Sequence, residues 1–168
     1  MGIVIRRYET SDLVACRGLW SELTQRHREI YGDPTIGGDN PGSFFDAYLG
    51  NAQLRGPWVA EVSGKVVGLG GLIIHGEEAE VEPMVVSSQH RSQGVGKGLL
   101  NHIVQEARGA GVRFLSVRPV ARNVEAVSFF VEAGFDTVGH IDLFQDLSRS
   151  TAREWRLGIR IHGKDLRC

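Results

Sequence analysis

Only two cysteines, Cys16 and Cys168, occur in the 168 residues. One falls in a helix-like segment and the other at the last position, so they offer neither a disulfide framework nor a thiolate metal site and read as reduced thiols. No run approaches the eighteen or so apolar residues of a membrane span, and "MGIVIRRYETSD" has no basic start, long apolar stretch or cleavage site of a secretory signal. These absences predict a soluble, cytoplasmic protein with no membrane partner. Charge of one sign is lacking too: 19 Lys and Arg stand against 20 Asp and Glu. With no basic, aromatic-interleaved surface, nucleic acid is not an expected partner. The six histidines form no H-E-x-x-H or paired metal spacing, and no G-x-S-x-G elbow exists, so no metal and no serine hydrolase chemistry are expected.

What is present suits one core. With 42% hydrophobic residues, a chain of this size is expected to form a single domain spanning 1–168. Residues 1–84 hold 7 Lys/Arg against 12 Asp/Glu and residues 85–168 hold 12 against 8. An anionic ligand in the second half and a cationic one in the first would suit that asymmetry, as would plain solvated surface. "IVIRRYE" (3–9) reads as a strand, and Thr10, Ser11 and Asp12 cap a helix marked by Leu13, Cys16, Trp20, Leu23, His27 and Ile30. A breaker-rich loop (31–42) leads to a short helix "FFDAYLGN". Then "PWVAEV", "KVVGLGGLIIH" and "EAEVEPMVVS" form an antiparallel meander, with Gly68, Gly70 and Gly71 marking a bulge or close backbone approach.

Beyond the meander, Leu99, Leu100, Ile103, Val104 and Ala107 define a helix that stops at "GAG" (109–111), and "VRFLSVRPV" (112–120) is a strand. Asn123 caps a helix "VEAVSFFVEAGF", "DTVGHIDLFQDL" (136–147) reads as a strand, and Trp155, Leu157, Ile159 and Ile161 alternate as a last strand closing the sheet. That strand, "RLGIRI", would finish the sheet or pair between the subunits of a homodimer. The order predicts an α/β (α+β) domain with a mixed, mainly antiparallel sheet and a right-handed β-α-β crossover over 80–120.

The stretch "SSQHRSQGVGKGLL" places Gly94, Gly96 and Gly98 where a strand hands over to a helix. Glycine there costs conformational entropy, roughly 0.5–1 kcal/mol against alanine. Bare backbone at a helix start presents several N–H donors and the positive end of the helix dipole, a site for phosphate. A Walker A loop would need glycine where Arg91 stands, and the dinucleotide fingerprint needs G-x-G-x-x-G rather than G-x-G-x-G.

Arg91-Ser-Gln-Gly94-Val-Gly96 resembles the R/Q-x-x-G-x-G/A loop of the GNAT N-acetyltransferase superfamily. "RNVEAVSFFVEAGF" resembles that family's N-x-x-A-x-x-F-Y-x-x-x-G-F helix through Asn123, Ala126, Phe129, Gly134 and Phe135. The resemblance implies a GNAT-like fold with a V-shaped splay between the fourth and fifth strands and about four flanking helices. It implies acetyl-CoA as donor, with the pyrophosphate on the backbone amides of Gln93 to Lys97, including Gly94, Val95 and Gly96. Arg91, Ser92, Asn123 and Phe130 would line the same donor site. The pantetheine arm would add to the edge of strand 82–87 through Met84 and Val86, whereas Pro83 has no N–H to give. The N–H near Met84 or Val85 would meet the oxyanion.

Acetyl transfer needs a neutral amine, yet a lysine-like amine of pKa about 10.4 is almost wholly protonated at neutral pH. Glu78, Glu80 and Glu82 alternate along one strand and share a face, which offers either a general base or an ordinary polar face. Glu82 is the first candidate for the base and Glu80 the second. Phe130 departs from the pattern: many family members carry a tyrosine there, thought to protonate the leaving thiolate. Tyr31 or Tyr48 would be the substitute, entering from the region of the first two helices, or each packs in the core. The expected activity is transfer of acetyl from acetyl-CoA to a primary amine of a small molecule, a protein lysine or a protein N-terminus. The alternative is a catalytically weak acyl-CoA-binding module of the same fold.

Overall fold

The computed structural model describes residues 2–145, 147 and 157–168. The chain divides into two compact units, Met1–Gln25 with Gly37–Arg118, and Arg26–Ile36 with Pro119–Cys168.

The first unit holds a five-stranded sheet in the order β1 (Ile3–Arg7), β2 (Leu54–Val62), β3 (Lys65–His75), β4 (Glu78–Val86), β5 (Phe114–Ser116). The first three pairings are antiparallel and β4 with β5 is parallel, joined through α3 (Val95–Gly109). A parallel pair cannot be closed by a hairpin, so the helical crossover follows from the topology. Helices α1 (Leu13–Tyr31) and α2 (Phe44–Leu49) complete the unit, α1 running on into the second one. Neighbouring residues of β3 face opposite ways. A Cβ on Gly70 would lie 2.6 Å from Ile103 Cδ1 of α3, while one on Gly71 would lie 1.8 Å from the Tyr48 hydroxyl of α2. The two glycines thus admit a helix on either face, the close approach that the sequence marks.

One core joins Cys16 and Leu19 of α1 to Phe45 and Tyr48 of α2 and to Val59, Leu69, Ile73 and Val85 of the sheet. The Cys16 thiol, fully buried there, is pushed up to about 12 by desolvation; it packs as a small apolar side chain. On the other face Leu99, Leu100, Ile103 and Ala107 bury one stripe of α3, each large side chain contributing about 1.5–3 kcal/mol. Left-handed Gly111 then ends the helix, as Val112 N–H turns back to the Ala107 carbonyl at 3.1 Å.

At the head of α1, Asp12 is 6% exposed and takes two hydrogen bonds from Arg6, at 2.7 and 2.9 Å, and one from Glu9 N–H at 2.8 Å. The Arg6 guanidinium, partly offset by burial, holds the Asp12 carboxyl below its ordinary value. A depressed carboxylate contributes stability that is present above its unfolded-state pKa and lost as pH falls through the folded one. Asp12→Asn is therefore expected to lose about 2 kcal/mol of unfolding free energy at pH 7 and to flatten the acid side of the stability curve. Urea titrations at pH 7 and pH 3 check it; a variant as acid-sensitive as the parent refutes the assignment.

The second unit holds the end of α1, α4 (Val124–Glu132), and a hairpin of β6 (Leu157–Ile161) with β7 (Lys164–Arg167). Asn123 caps α4, its Oδ1 accepting from Ala126 N–H at 3.2 Å, as the sequence predicts.

Three expectations change. The strand over 112–120 shrinks to three residues, because Arg113 and Phe114 both give their N–H to the Glu77 carbonyl and Pro119 has none to give. No strand forms among the described residues of 136–147: Val138 and Phe144 fall on one parity, Ile141 and Leu143 on the other, so no single face is apolar, and all four are exposed. The last strand does not close the main sheet. Left-handed His162 and Gly163 turn the chain tightly, and β6 pairs with β7 instead. Trp155, counted in that alternation, lies outside the described residues.

Candidate active site

The site begins at the outer edge of β4. Strand β5 pairs only with Glu78, Ala79 and Glu80, so from Val81 to Val86 that side of β4 has no ladder partner among the described residues. The expected opening between fourth and fifth strands lies here. Ser87 N–H donates to the Val67 carbonyl of β3 at 2.8 Å. By alternation Val85 also spends its amide on β3, while the N–H and C=O of Met84 and Val86 face the open edge. Of the two suggested oxyanion donors, the Met84 amide is thus the free one. Arg91 Nε already uses that edge, donating to the Val86 carbonyl at 3.3 Å.

Four residues beyond Arg91, the glycine loop turns into α3 at Val95. Gly94 caps it with φ 82°, a left-handed conformation that favours glycine, and Ser92 is left-handed too, at φ 58°. The first intrahelical bond runs from Gly98 N–H to the Gly94 carbonyl at 2.9 Å. The N–H groups of Val95, Gly96 and Lys97 are left over, as in any first helical turn. Among the described residues no side chain caps them. Lys97 is exposed, and a Cβ on Gly98 would meet nothing within 4 Å.

Glu22 of α1 positions this loop. Its carboxylate accepts from Ser88 N–H at 3.0 Å and from the Ser87 hydroxyl at 3.3 Å, holding the turn that leads to Arg91. Sequence reasoning misses Glu22, because its partners lie 65 and 66 residues away. Beneath the turn, a cleft of about 220 Å³ is lined by Glu22, Lys65, Ser87 and His90 among others. His90, half-buried, has its Nδ1 buried without a partner among the described residues.

At the other end of the open edge stand the carboxylates. Leu72 pairs with Val81 and Gly70 with Met84, so the single residue Gly71 faces two, Glu82 and Pro83. This bulge sits where the pairing with β5 has just ended. Glu80 is largely buried and meets Arg118 at 3.4 Å. Glu82 is exposed, and its carboxylate makes no ion pair among the described residues. The Tyr48 hydroxyl donates to the Glu82 carbonyl at 2.5 Å. Burial, with the Glu82 charge adding to it, pushes that hydroxyl well above its ordinary pKa. Tyr48 is a core residue, then, and its proton is engaged.

Of the remaining candidates, Asn123, Phe130 and Tyr31 belong to the second unit. Phe130 is buried against Phe129 and Phe135, and Arg122 lies over the Tyr31 ring at 5.4 Å.

A model of the acetyltransferase (GNAT) family matches residues 18–135. The chain belongs to that family. Among curated relatives, N-acetyltransferase family 8 member 2 of Rattus norvegicus is 35% identical over 91 residues, covering 49% of this chain and 39% of the relative. N-acetyltransferase 8 of the same organism is 32% identical over 98 residues, 55% and 43% of the two chains. This chain thus spans about two-fifths of the length of the relatives it matches. Solved structures share the fold. The ribosomal-protein-S18-alanine N-acetyltransferase of Escherichia coli has a TM-score of 0.61 at 22% identity, over 79% of this chain and 77% of that one. AAC(6')-Iy in complex with the bisubstrate analog CoA-S-monomethyl-acetylneamine has a TM-score of 0.66 at 17% identity, over 88% and 100%. Among the described residues, no helix is long and apolar enough to cross a membrane, and no group of three or more His, Cys, Asp or Glu is placed to hold a metal.

Proposed function

We propose that this GNAT domain binds acetyl-CoA and transfers the acetyl group directly to a primary amine. One observation carries the reading: an unpaired stretch of β4 backbone leads straight to an uncapped helix start. An extended diamide suits the first and a pyrophosphate the second. Acetyl-CoA is the donor general to the family, and the complexed neighbour carries a CoA-derived analog. When bound, it supplies the acetyl group already activated as a thioester.

Met84 and Val86 hold the pantetheine amides, and Arg91 must leave the Val86 carbonyl for this, which frees its charge for the phosphates. The amides of Gln93 to Lys97 take the pyrophosphate, with Ser92 shaping the loop. Glu82 accepts the proton of the incoming ammonium, directly or through water, the amine nitrogen bonds to the acetyl carbon, and the Met84 N–H faces the carbonyl oxygen as negative charge grows on it; as the C–S bond breaks, the nitrogen's second proton passes through water to the departing thiolate. Glu80 is the poorer base, its charge already answered by Arg118. The acidic face of Glu78, Glu80 and Glu82 favours a cationic acceptor. The family match crosses both compact units, which supports reading the chain as one catalytic domain.

A second reading, a binding module that turns over weakly, rests on Phe130, which has no proton to give a leaving thiolate. Thiol release from acetyl-CoA across a panel of polyamines, aminoglycosides and lysine or N-terminal peptides separates the two. Acceptor-dependent release at kcat of about 1 s⁻¹ or more, the low end of ordinary enzymes, supports the transferase. Tight binding without turnover supports the module.

A further inference from the structure

Tyr48 stands out among the residues that the proposed chemistry does not use. Its ring packs with Trp20 and Phe45, centroids 5.3 and 6.0 Å away. That packing alone would be satisfied by phenylalanine. The hydroxyl is instead spent on one backbone oxygen, the Glu82 carbonyl, inside the two-against-one bulge of β4. Room for it exists only because residue 71 lacks a side chain: a Cβ there would stand 1.8 Å from the hydroxyl and 2.8 Å from that same carbonyl oxygen. Gly71 and the hydroxyl are thus a matched pair built around one point of the strand. The peptide they hold lies between Glu82 and Pro83, one residue before the free Met84 amide.

Resting on the transferase reading above, we propose that Tyr48 is a positioning residue: its hydroxyl, admitted by Gly71, holds the β4 bulge and so sets where the Glu82 carboxylate and the Met84 amide point. A bulge re-aims side chains and backbone alike, and two residues opposite one leave the strand two ways to settle. Fixing the Glu82 carbonyl selects one of them. Because the hydroxyl keeps its proton at every working pH, the clamp does not open on titration.

Tyr48→Phe tests this with the ring retained. The expected result is a fall of about tenfold or more in kcat with a good amine acceptor, the scale on which misplaced catalytic groups act. The Kd for CoA by calorimetry should rise by less than kcat falls, since the glycine loop and Val86 are untouched and only the Met84 contact moves. The pH dependence of kcat/KM should lose part of its acid limb as the base drifts from the amine. Gly71→Ala, which drives the hydroxyl off the carbonyl, should reproduce the split, and the double variant should fall short of the product of the two single effects. Amide exchange at Val85, whose N–H is spent on β3 beside the bulge, should quicken in Tyr48→Phe while exchange in α3 does not. A folded Tyr48→Phe variant with parental kcat and pH profile, changed only in melting temperature, overturns the inference. A parent that binds CoA yet acetylates no amine overturns the transferase reading instead.

Discussion

Gly94→Glu is expected to weaken CoA binding about 1,000-fold while leaving the protein folded. Residue 94 sits at φ 82°, where any side chain costs roughly 1–2 kcal/mol. Beyond that strain nothing obstructs it, for the nearest atom to a Cβ there is Ile3 Cδ1 at 4.0 Å. A carboxylate at this helix start is welcome to the free N–H groups of Val95 to Lys97 and to the helix dipole, so it takes the place of the phosphate rather than unfolding the loop. Like charges brought to about 4 Å repel by about 4 kcal/mol at the effective dielectric of a protein surface, close to three decades in Kd. Gly94→Ala, which carries the strain without the charge, should lose about tenfold. Calorimetry with CoA reads both, with thermal melting as the folding control. Equal losses for Ala and Glu would mean that the loop matters for its shape alone. No loss for either would remove the loop from the donor site.

The glycine loop was legible in the sequence because its signal is local: consecutive residues, a strand before and a helix after. So were the meander and the Asn123 cap, each set by turn chemistry or period within a dozen residues. The open edge of β4 was legible only through family resemblance, since it arises from where β5 stops. That in turn depends on Pro119 and on the bulge opposite Gly71. The bulge itself left a trace in Gly68, Gly70 and Gly71 without saying which helix each admits. The Tyr48 hydroxyl on the Glu82 carbonyl, Glu22 under the loop and Arg118 beside Glu80 join residues 34, 65 and 38 positions apart. No periodicity encodes such pairs. The misread segment 136–147 and the β6–β7 hairpin show the converse: strand-forming residues make a strand only where a partner and a single apolar face coincide.

The pairing of Arg118 with Glu80 bears on which glutamate the proposed chemistry would use. Glu80 and Glu82 lie two apart on one strand, yet their surroundings differ: Glu80 is largely buried against Arg118, whereas Glu82 is exposed and makes no ion pair. Glu80 already spends its charge on Arg118, whereas the Glu82 carboxylate is open to an incoming ammonium, and on that ground the proposal gives Glu82 the role of base. Glu82→Gln is therefore expected to lower kcat/KM for an amine acceptor by roughly 100-fold or more, the usual contribution of a general base, with the Kd for CoA unchanged. The residual rate should climb about tenfold per pH unit, following the fraction of amine already neutral. Raising the pH would then recover much of the loss. Glu80→Gln should cost less than about tenfold, with a stability change under about 1 kcal/mol, since its partner Arg118 is exposed and stays solvated when left alone. Initial rates of thiol release for both variants between pH 6 and 9 make the comparison. If Glu80→Gln proves the more damaging, or if neither changes the pH profile, the proton leaves the amine by another route and the role assigned to Glu82 falls.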